Sequence, residues 1–264
     1  MSAIVVTGSA SGIGAALRAR LLARGARVIG VDLREADVIA DLATPEGRRS
    51  AIYRVRALAG GSLDGLVTCA GVCGLPSRAG SLLVSTNYFG TTALLDGLRE
   101  LLAAGGSPAA VAISSNSTTT QPGVPLGLAR ACLDGDEAAA RRIDDAVGSL
   151  AAYPASKVAI ARFVRRHAPS SQWIGSGITL NAVAPGVTDT PMVAEGRRDP
   201  LIGPAIDAFP VPVGRMARAD EIAALIEFLL GPDARFLVGS IVFADGGTDA
   251  LHRADDWPAP RPAA

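Results

Sequence analysis

Ile4-Val5-Val6-Thr7-Gly8-Ser9-Ala10-Ser11-Gly12-Ile13-Gly14 decides how the rest of the chain is read. Ile4 to Val6 is a short apolar, β-branched run, the pattern of a buried strand. Gly14 to Arg24 reads as a helix with Leu17, Leu21 and Leu22 on one side, and Gly25 stands where a helix C-terminal cap belongs. Between strand and helix lie Gly8, Gly12 and Gly14. Without side chains the backbone can turn sharply and approach a pyrophosphate, which the free N–H groups of a helix start bind. The spacing is Gly-x-x-x-Gly-x-Gly, not the commoner Gly-x-Gly-x-x-Gly. A glycine cluster alone is often only a turn; the strand-turn-helix setting is what points to a dinucleotide.

Working outward, Arg27-Val-Ile-Gly-Val31 is a second strand ending at Asp32, 18 positions after Gly14 (32 − 14). An acidic residue there can accept hydrogen bonds from the adenosine ribose and would repel a 2′-phosphate, which selects NAD over NADP. Ser11 agrees, because it adds no positive charge beside Gly12. Arg34 is the one dissenting residue, and it reads as a solvated loop arginine.

In the middle of the chain, Ala151-Ala-Tyr-Pro-Ala-Ser-Lys157 opens a segment, Ala152 to His167, with helical spacing of apolar residues. Tyr153 and Lys157, four apart, project from one helix face. A phenol with a pKa near 10 is a poor base at neutral pH, and a nearby ammonium favours phenolate. Pro154 is tolerated in a first helical turn and damaging later, so it places Tyr153 near the helix N-terminus, where the dipole also favours an anion. Ser114-Ser115 follows the buried strand Ala109 to Ile113, at what should be the carboxyl edge of the sheet where ligands bind. Ser115 lies 38 positions before Tyr153 (153 − 115). A glycine turn, a serine and a Tyr-x-x-x-Lys pair together suit hydride exchange between a nicotinamide and a carbonyl or alcohol.

These stretches resemble the short-chain dehydrogenase/reductase family along nearly the whole chain. Thr7 to Gly14 is similar to its cofactor motif, and Asp64-Gly-Leu-Val-Thr-Cys-Ala-Gly71 to its fourth-strand segment. Asn87-Tyr-Phe-Gly90, Asn181-Ala-Val-Ala-Pro-Gly-Val-Thr-Asp-Thr190 and Asp245-Gly-Gly247 match further segments in order. The resemblance implies a catalytic set of Asn87, Ser115, Tyr153 and Lys157, in which Asn87 holds a proton-relay water. It implies NAD contacts from Gly8, Ser11, Gly12, Ile13, Gly14, Asp32, Asp41, Leu42, Ala70, Gly71, Tyr153, Lys157, Pro185, Gly186, Thr188 and Thr190, with Thr190 on the carboxamide. Val38 to Leu42, Asn87 to Gly90 and the long Ser115-to-Tyr153 interval resemble a bacterial branch acting on hydroxysteroids and bulky carbonyl compounds. Two departures stand out. Thr68-Cys69 replaces the family's usual Asn-Asn, so an asparagine contact is lost there, and the 38-position interval exceeds the usual length, which unsettles any borrowed assembly geometry.

Within 264 residues the matching segments span positions 4 to 247 in one alternating β/α pattern. The expected fold is α/β, a single Rossmann-type doubly wound domain with a mainly parallel sheet of seven strands and a helical insertion. Residues 1–250 form that domain and 251–264 a C-terminal tail. The insertion runs over about 123–150, around the good helix former Asp136 to Val147, and either covers the site or makes a subunit contact. Residues 191–215, with Met192, Leu201, Ile202 and Phe209 among prolines, suit a substrate lid closing an apolar pocket.

Zero net charge argues against a nucleic-acid surface. Ile222 to Leu230 is broken by Glu227, so it is no membrane span. A strand almost at Met1 leaves no room for a signal peptide, and a cytoplasmic protein is expected. Cys69, Cys73 and Cys132 are odd in number and fit no metal spacing; neither they nor His167 and His252 imply a metal. The expected activity is NAD(H)-dependent interconversion of a secondary alcohol and a ketone, on a small hydrophobic cyclic substrate such as a 3-hydroxysteroid, by a homodimer or homotetramer. Alternatives are another alcohol or a 3-ketoacyl substrate (Arg197, Arg198 and Arg215 flank the lid), a non-catalytic NAD(H)-binding sensor or scaffold, and a glycosyl-nucleotide epimerase, for which the chain lacks length.

Overall fold

The alternation of apolar residues along each strand builds two core layers, one on either face of a sheet. The computed structural model describes residues 3–257. Among these, the strands are β1 (Ala3–Thr7), β2 (Arg27–Asp32), β3 (Val38–Ile39), β4 (Leu63–Thr68), β5 (Ala109–Ile113), β6 (Thr179–Pro185), β7 (Thr188–Asp189), β8 (Ala217–Arg218) and β9 (Ile241–Ala244). Seven form one parallel sheet in the order β3-β2-β1-β4-β5-β6-β9, and β7 pairs with β8 apart from it. The expected seven-stranded doubly wound sheet is present, and here every pairing in it is parallel.

Register shows how the layers arise. Val5 lies beside Leu66 and Leu66 beside Ala110, all in one core; Val6 lies beside Val67 and Val67 beside Val111, all in the other. A period of two sends successive side chains to opposite faces, so each strand feeds both cores. Helices α1 (Gly12–Ala23) and α12 (Ala219–Leu230) pack together over one face, with Leu17, Leu21, Ile222 and Ile226 buried. The other face carries α2 (Pro45–Ala59), α3 (Gly80–Val84), a π-helical turn at Ser85–Gly90, α4 (Thr91–Gly97), α5 (Arg99–Ala103) and α9 (Ser149–His167). α1 starts at Gly12 rather than Gly14, because the glycine turn itself winds into the helix; Gly25 follows its end at φ 76°, as a capping glycine does.

Past β5 come α6 (Ser117–Thr120), α7 (Leu126–Leu133) and α8 (Glu137–Val147). α7 and α8 are the expected insertion, and they pack on α3 and α9. The lid region holds α10 (Pro191–Arg198) and α11 (Gly203–Asp207). α13 (Thr248–His252) crosses the expected domain end at residue 250, with its own Thr248 and Asp249 buried and Leu251 and His252 exposed. Residues 258–264 of that tail lie outside the described residues. No helix among the described residues is long and apolar enough to cross a membrane.

Candidate active site

The turn after β1 is shaped by what a Cβ would strike. Gly8 takes φ 65° and Gly12 φ 52°, in the left-handed region. A Cβ on Gly8 would lie 2.8 Å from the Ala70 amide nitrogen, and one on Gly14 only 2.1 Å from the Gly8 carbonyl oxygen. Ser11 precedes α1 without a side-chain cap, so the first-turn amides of Gly12, Ile13 and Gly14 have no capping partner from it. Free N–H groups and close backbone approach are what a pyrophosphate needs, so the chemistry of these residues fits a dinucleotide. Asp32 helps to hold its shape: its Oδ2 accepts from the Ala10 amide (2.9 Å) and its Oδ1 from that of Leu33 (2.7 Å). Arg34 is exposed on the following loop.

Asp41 is exposed and its Oδ1 accepts from the Ala43 amide (2.9 Å), while Leu42 is buried against Gly90 of the π turn. Sequence reading missed what fixes this segment. The buried Arg48 donates to the carbonyls of Leu42 (2.8 Å), Ala43 (3.1 Å) and Ser85 (2.9 Å), and pairs through both terminal nitrogens with Glu137 of α8 (2.7 Å each). One arginine thus ties α2, the segment after β3, the π turn and the insertion together. Nothing in the local sequence distinguishes it from the neighbouring Arg49, which is exposed.

At the other lip, the Ala70 amide donates to Thr7 Oγ1 (3.0 Å) and places Ala70-Gly71 beside the glycine turn. At Thr68, which with Cys69 stands where the family's Asn-Asn is usual, the side-chain Oγ1 is buried without a hydrogen-bond partner. Asn87, in the π turn, is fully buried; its Oδ1 accepts from the Val72 amide (2.8 Å) and its Nδ2 donates to the Val72 carbonyl (3.0 Å). The side chain clamps the loop, and Gly71 sits between Asn87 Oδ1 and Lys157 Nζ. Such π bulges are frequent at functional sites.

Ser115, Tyr153 and Lys157 converge here. Ser115 Oγ accepts from the Ser117 amide (3.1 Å), and Ser115 stands near enough to the Tyr153 phenol to favour its ionised form. Lys157 Nζ donates to the Ile113 carbonyl (3.0 Å) and lies 5.8 Å from the centre of the Tyr153 ring. Two expectations are corrected. α9 begins at Ser149, not Ala152, because Gly148 supplies the break at φ 79° and Ser149 Oγ bonds both the amide and the carbonyl of Leu75. Pro154 therefore sits in the second turn, and Tyr153 is further from the helix end than Pro154 suggested. Nor does the Tyr153 pKa fall below its ordinary value as the nearby lysine suggested: burial pushes the phenol up, Ser115 partly offsets it, and the lysine is itself lowered to about 8 by burial. Desolvation opposes both charged forms.

On the far side of the sheet end, Gly186 follows Pro185 and packs so tightly that a Cβ would lie 2.7 Å from Asp245 Cα. Asp245 is held in turn by the amides of Gly247 (3.1 Å) and Asp249 (2.7 Å). Thr188 Oγ1 donates to the Gly186 carbonyl (2.9 Å), and Thr190 Oγ1 donates to the Thr188 carbonyl (3.2 Å) while accepting from the Val193 amide (3.4 Å). Thr190 Cγ2 stands 3.3 Å from where a Gly12 Cβ would be, so the first and last cofactor motifs meet.

Of the lid side chains, Met192, Ile202 and Phe209 are half-buried, but Leu201 is 69% exposed and does not line a pocket. A cavity of about 510 Å³ lies beyond Gly186 against Val187, Val211 and Phe243, and one of about 310 Å³ between Pro76 and Leu150; Ser115, Tyr153 and Lys157 line neither. The Cys69 and Cys132 thiols are pushed up to about 12 by burial, and no metal-holding cluster exists among the described residues.

Comparison with known proteins agrees with this geometry. A family model described as enoyl-(acyl carrier protein) reductase matches residues 139–249. The chain is 43% identical to the 3-alpha-hydroxysteroid dehydrogenase/carbonyl reductase of Comamonas testosteroni, over 96% of this chain and 98% of that protein. It is 34% identical to the cis-4-hydroxycyclohexanecarboxylate dehydrogenase of Sinomonas cyclohexanicum, over 94% and 96%. The crystal structure of the 3-alpha-hydroxysteroid dehydrogenase from Pseudomonas sp. B-0831 complexed with NADH superposes with a TM-score of 0.92 at 47% identity, covering 97% of this chain and 100% of that one.

Proposed function

We propose, for a chain that belongs to the short-chain dehydrogenase/reductase family, a specific chemistry and a specific class of substrate. The protein is an NAD(H)-dependent oxidoreductase that interconverts a secondary alcohol and a ketone. In our reading the ketone is held by a rigid hydrophobic ring system, a 3-ketosteroid or a bulky cyclic or aromatic ketone.

The observation that carries the mechanism is the convergence of Ser115 and Tyr153 beside Lys157, whose Nζ lies 5.8 Å from the Tyr153 ring centre, at the same sheet edge as the glycine turn. Bound NAD(H) supplies or accepts the hydride. Ser115 and Tyr153 both present hydroxyls to the substrate oxygen; Ser115 holds it and Tyr153 exchanges its proton. A phenol raised by burial is protonated at neutral pH, the form needed to donate to a ketone oxygen. Lys157 is anchored on the Ile113 carbonyl, within reach of a nicotinamide ribose, and its charge stabilises the phenolate left after proton transfer. Asn87 supports the relay by fixing the Gly71-Val72 loop.

Gly8, Ser11, Gly12, Ile13 and Gly14 are assigned to the pyrophosphate, Asp32 to the ribose, and Asp41, Leu42, Ala70 and Gly71 to the adenosine side. Pro185, Gly186, Thr188 and Thr190 are assigned to the nicotinamide. Asp32 on an edge with an exposed Arg34 supports NAD rather than NADP.

The half-buried Met192, Ile202 and Phe209 support an apolar substrate. Carrier-linked thioesters fit less well, because Arg197 is paired with Asp207 (2.7 Å) and Arg215 with Glu221 (2.8 and 2.7 Å), leaving Arg198 of the three flanking arginines. We further propose a cytoplasmic homodimer or homotetramer, supported by the half-buried outer strand β9 and a fully exposed Phe236. An NAD-coupled screen of steroids, cyclic and aromatic ketones, short alcohols and a 3-ketoacyl thioester tests the reading. Preference for short alcohols or the thioester would refute the substrate class while leaving the reaction class standing.

A further inference from the structure

The loop between β4 and α3 faces the lid helix α10, and a compact polar cluster joins them. Arg78 donates through Nη1 to the Cys73 carbonyl, with Cys73 Sγ 3.2 Å away, and through Nη2 to Glu195 Oε1 at 2.9 Å. Cys73 Sγ lies 3.8 Å from both Glu195 Oε2 and the Met192 carbonyl. The cluster borders the reacting groups, since Cys73 directly follows the Gly71-Val72 segment that Asn87 clamps beside Lys157.

The rest of the lid is bound to itself or hinged at its ends. Gly196 lets α10 approach α11 so closely that a Cβ would lie 2.9 Å from Ile206 Cδ1, and Arg197 pairs with Asp207 across the same two helices. One end is fixed by Thr190. The other is fixed by Thr248 Oγ1 donating to the Pro210 carbonyl (2.9 Å) and the Val213 amide donating to that of Gly246 (3.1 Å). Between these ends, Arg78–Glu195 is the ion pair that crosses from α10 to the opposite rim among the described residues.

We propose that Arg78 and Glu195 form a latch that holds the lid over bound substrate, with Cys73 as the seat of the Arg78 guanidinium, and that the latch sets how firmly a bulky substrate is enclosed. The proposal rests on reading the Ser115–Tyr153–Lys157 cleft as the active site. Both residues act by positioning and touch no reacting atom. The exposure of the pair suits a gate. The Arg78 side chain is 15% exposed and that of Glu195 49%, so the pair is too solvated to lock the lid. Pairs of this kind shift an equilibrium by at most roughly fivefold. A lid released in every catalytic cycle needs a bias of that size.

The test is amide hydrogen exchange on the full-length protein, comparing wild type with Arg78→Ala, Glu195→Gln and the double variant. Exchange over residues 191–209 should rise about two- to fivefold in each single variant and no further in the double, with β1, β4 and β5 unchanged. In parallel, KM for a bulky cyclic ketone should rise by a similar factor with kcat held or increased, while KM for a small ketone moves less than about twofold. Unchanged exchange over 191–209, additive effects in the double variant, or equal loosening of the central strands would overturn the latch. The exchange measurement needs no turnover. A failure of the active-site reading would show separately, as normal activity in Tyr153→Phe.

Discussion

Asp144→Asn should stabilise this protein at alkaline pH, although it removes a carboxylate that accepts a hydrogen bond. Asp144 lies on the insertion helix α8, fully buried against the start of α3. Its Oδ2 accepts from the Val84 amide (3.1 Å), but its Oδ1 has no partner and is wedged where a Gly80 Cβ would stand only 2.3 Å away. Burial pushes its pKa up to about 7; the Val84 hydrogen bond offsets part of this and the neighbouring Asp145 charge adds to it. From the ordinary 3.8 this is roughly three units, and at about 1.36 kcal/mol per unit the ionised side chain costs at most about 4 kcal/mol. A folded pKa above the unfolded value means the stability is fully present below about pH 4 and is lost as pH rises through about 7. Asparagine keeps the acceptor for Val84 and has no charge to bury. At about 2–4 °C per kcal/mol for a chain of this size, the variant should melt several degrees above wild type at pH 8.5 and close to it at pH 5. Thermal unfolding followed by circular dichroism from pH 5 to 8.5 measures both. Parallel pH profiles for the two proteins, or a variant less stable at pH 8.5, would show that Asp144 is not a strained buried carboxylate.

The remaining predictions concern the cleft. Tyr153→Phe should lower kcat by at least ~10²-fold, the usual loss for a general acid–base group, while NADH fluorescence titration shows affinity within a few-fold of wild type. Asp32→Ala should narrow the preference for NAD over NADP, read as the ratio of kcat/KM values; a wild type that prefers NADP would instead promote Arg34 to a phosphate ligand. Because burial raises the Tyr153 pKa, alcohol oxidation should accelerate as pH rises and ketone reduction should slow, since the first needs phenolate and the second phenol. Equal pH dependence in both directions would remove Tyr153 as the titrating group. Lys157→Met should damage both kcat and NADH affinity, since the lysine is assigned to the tyrosine and to the ribose; a loss confined to kcat would take the ribose from it.

Ser115 and Tyr153 could be named from the sequence because each sits in a local frame: one after an apolar strand, the other four positions from a lysine on a helix. The glycine turn was legible for the same reason, and the Cβ clashes at Gly8 and Gly14 supply its physical cause. Pro154 misled because a proline reports only that a helix tolerates it. Gly148 and the Ser149–Leu75 hydrogen bonds, which start α9 a turn earlier, involve a partner 74 positions away. Leu201 misled in the opposite sense, since it falls in the turn between α10 and α11, where an apolar residue can face water.

What the sequence by itself determined was the alternating β/α order, the glycine turn and the candidate group of Ser115, Tyr153 and Lys157, all set by spacings of a few residues. Only the tertiary structure decided which charges those groups feel and what holds them. Arg48 bridging four segments, Asp144 buried without a cation, Lys157 lowered to about 8 and Arg78 paired with Glu195 across 117 positions arise where distant segments exclude water together. Desolvation depends on everything packed around a group, and no local pattern of residues encodes it.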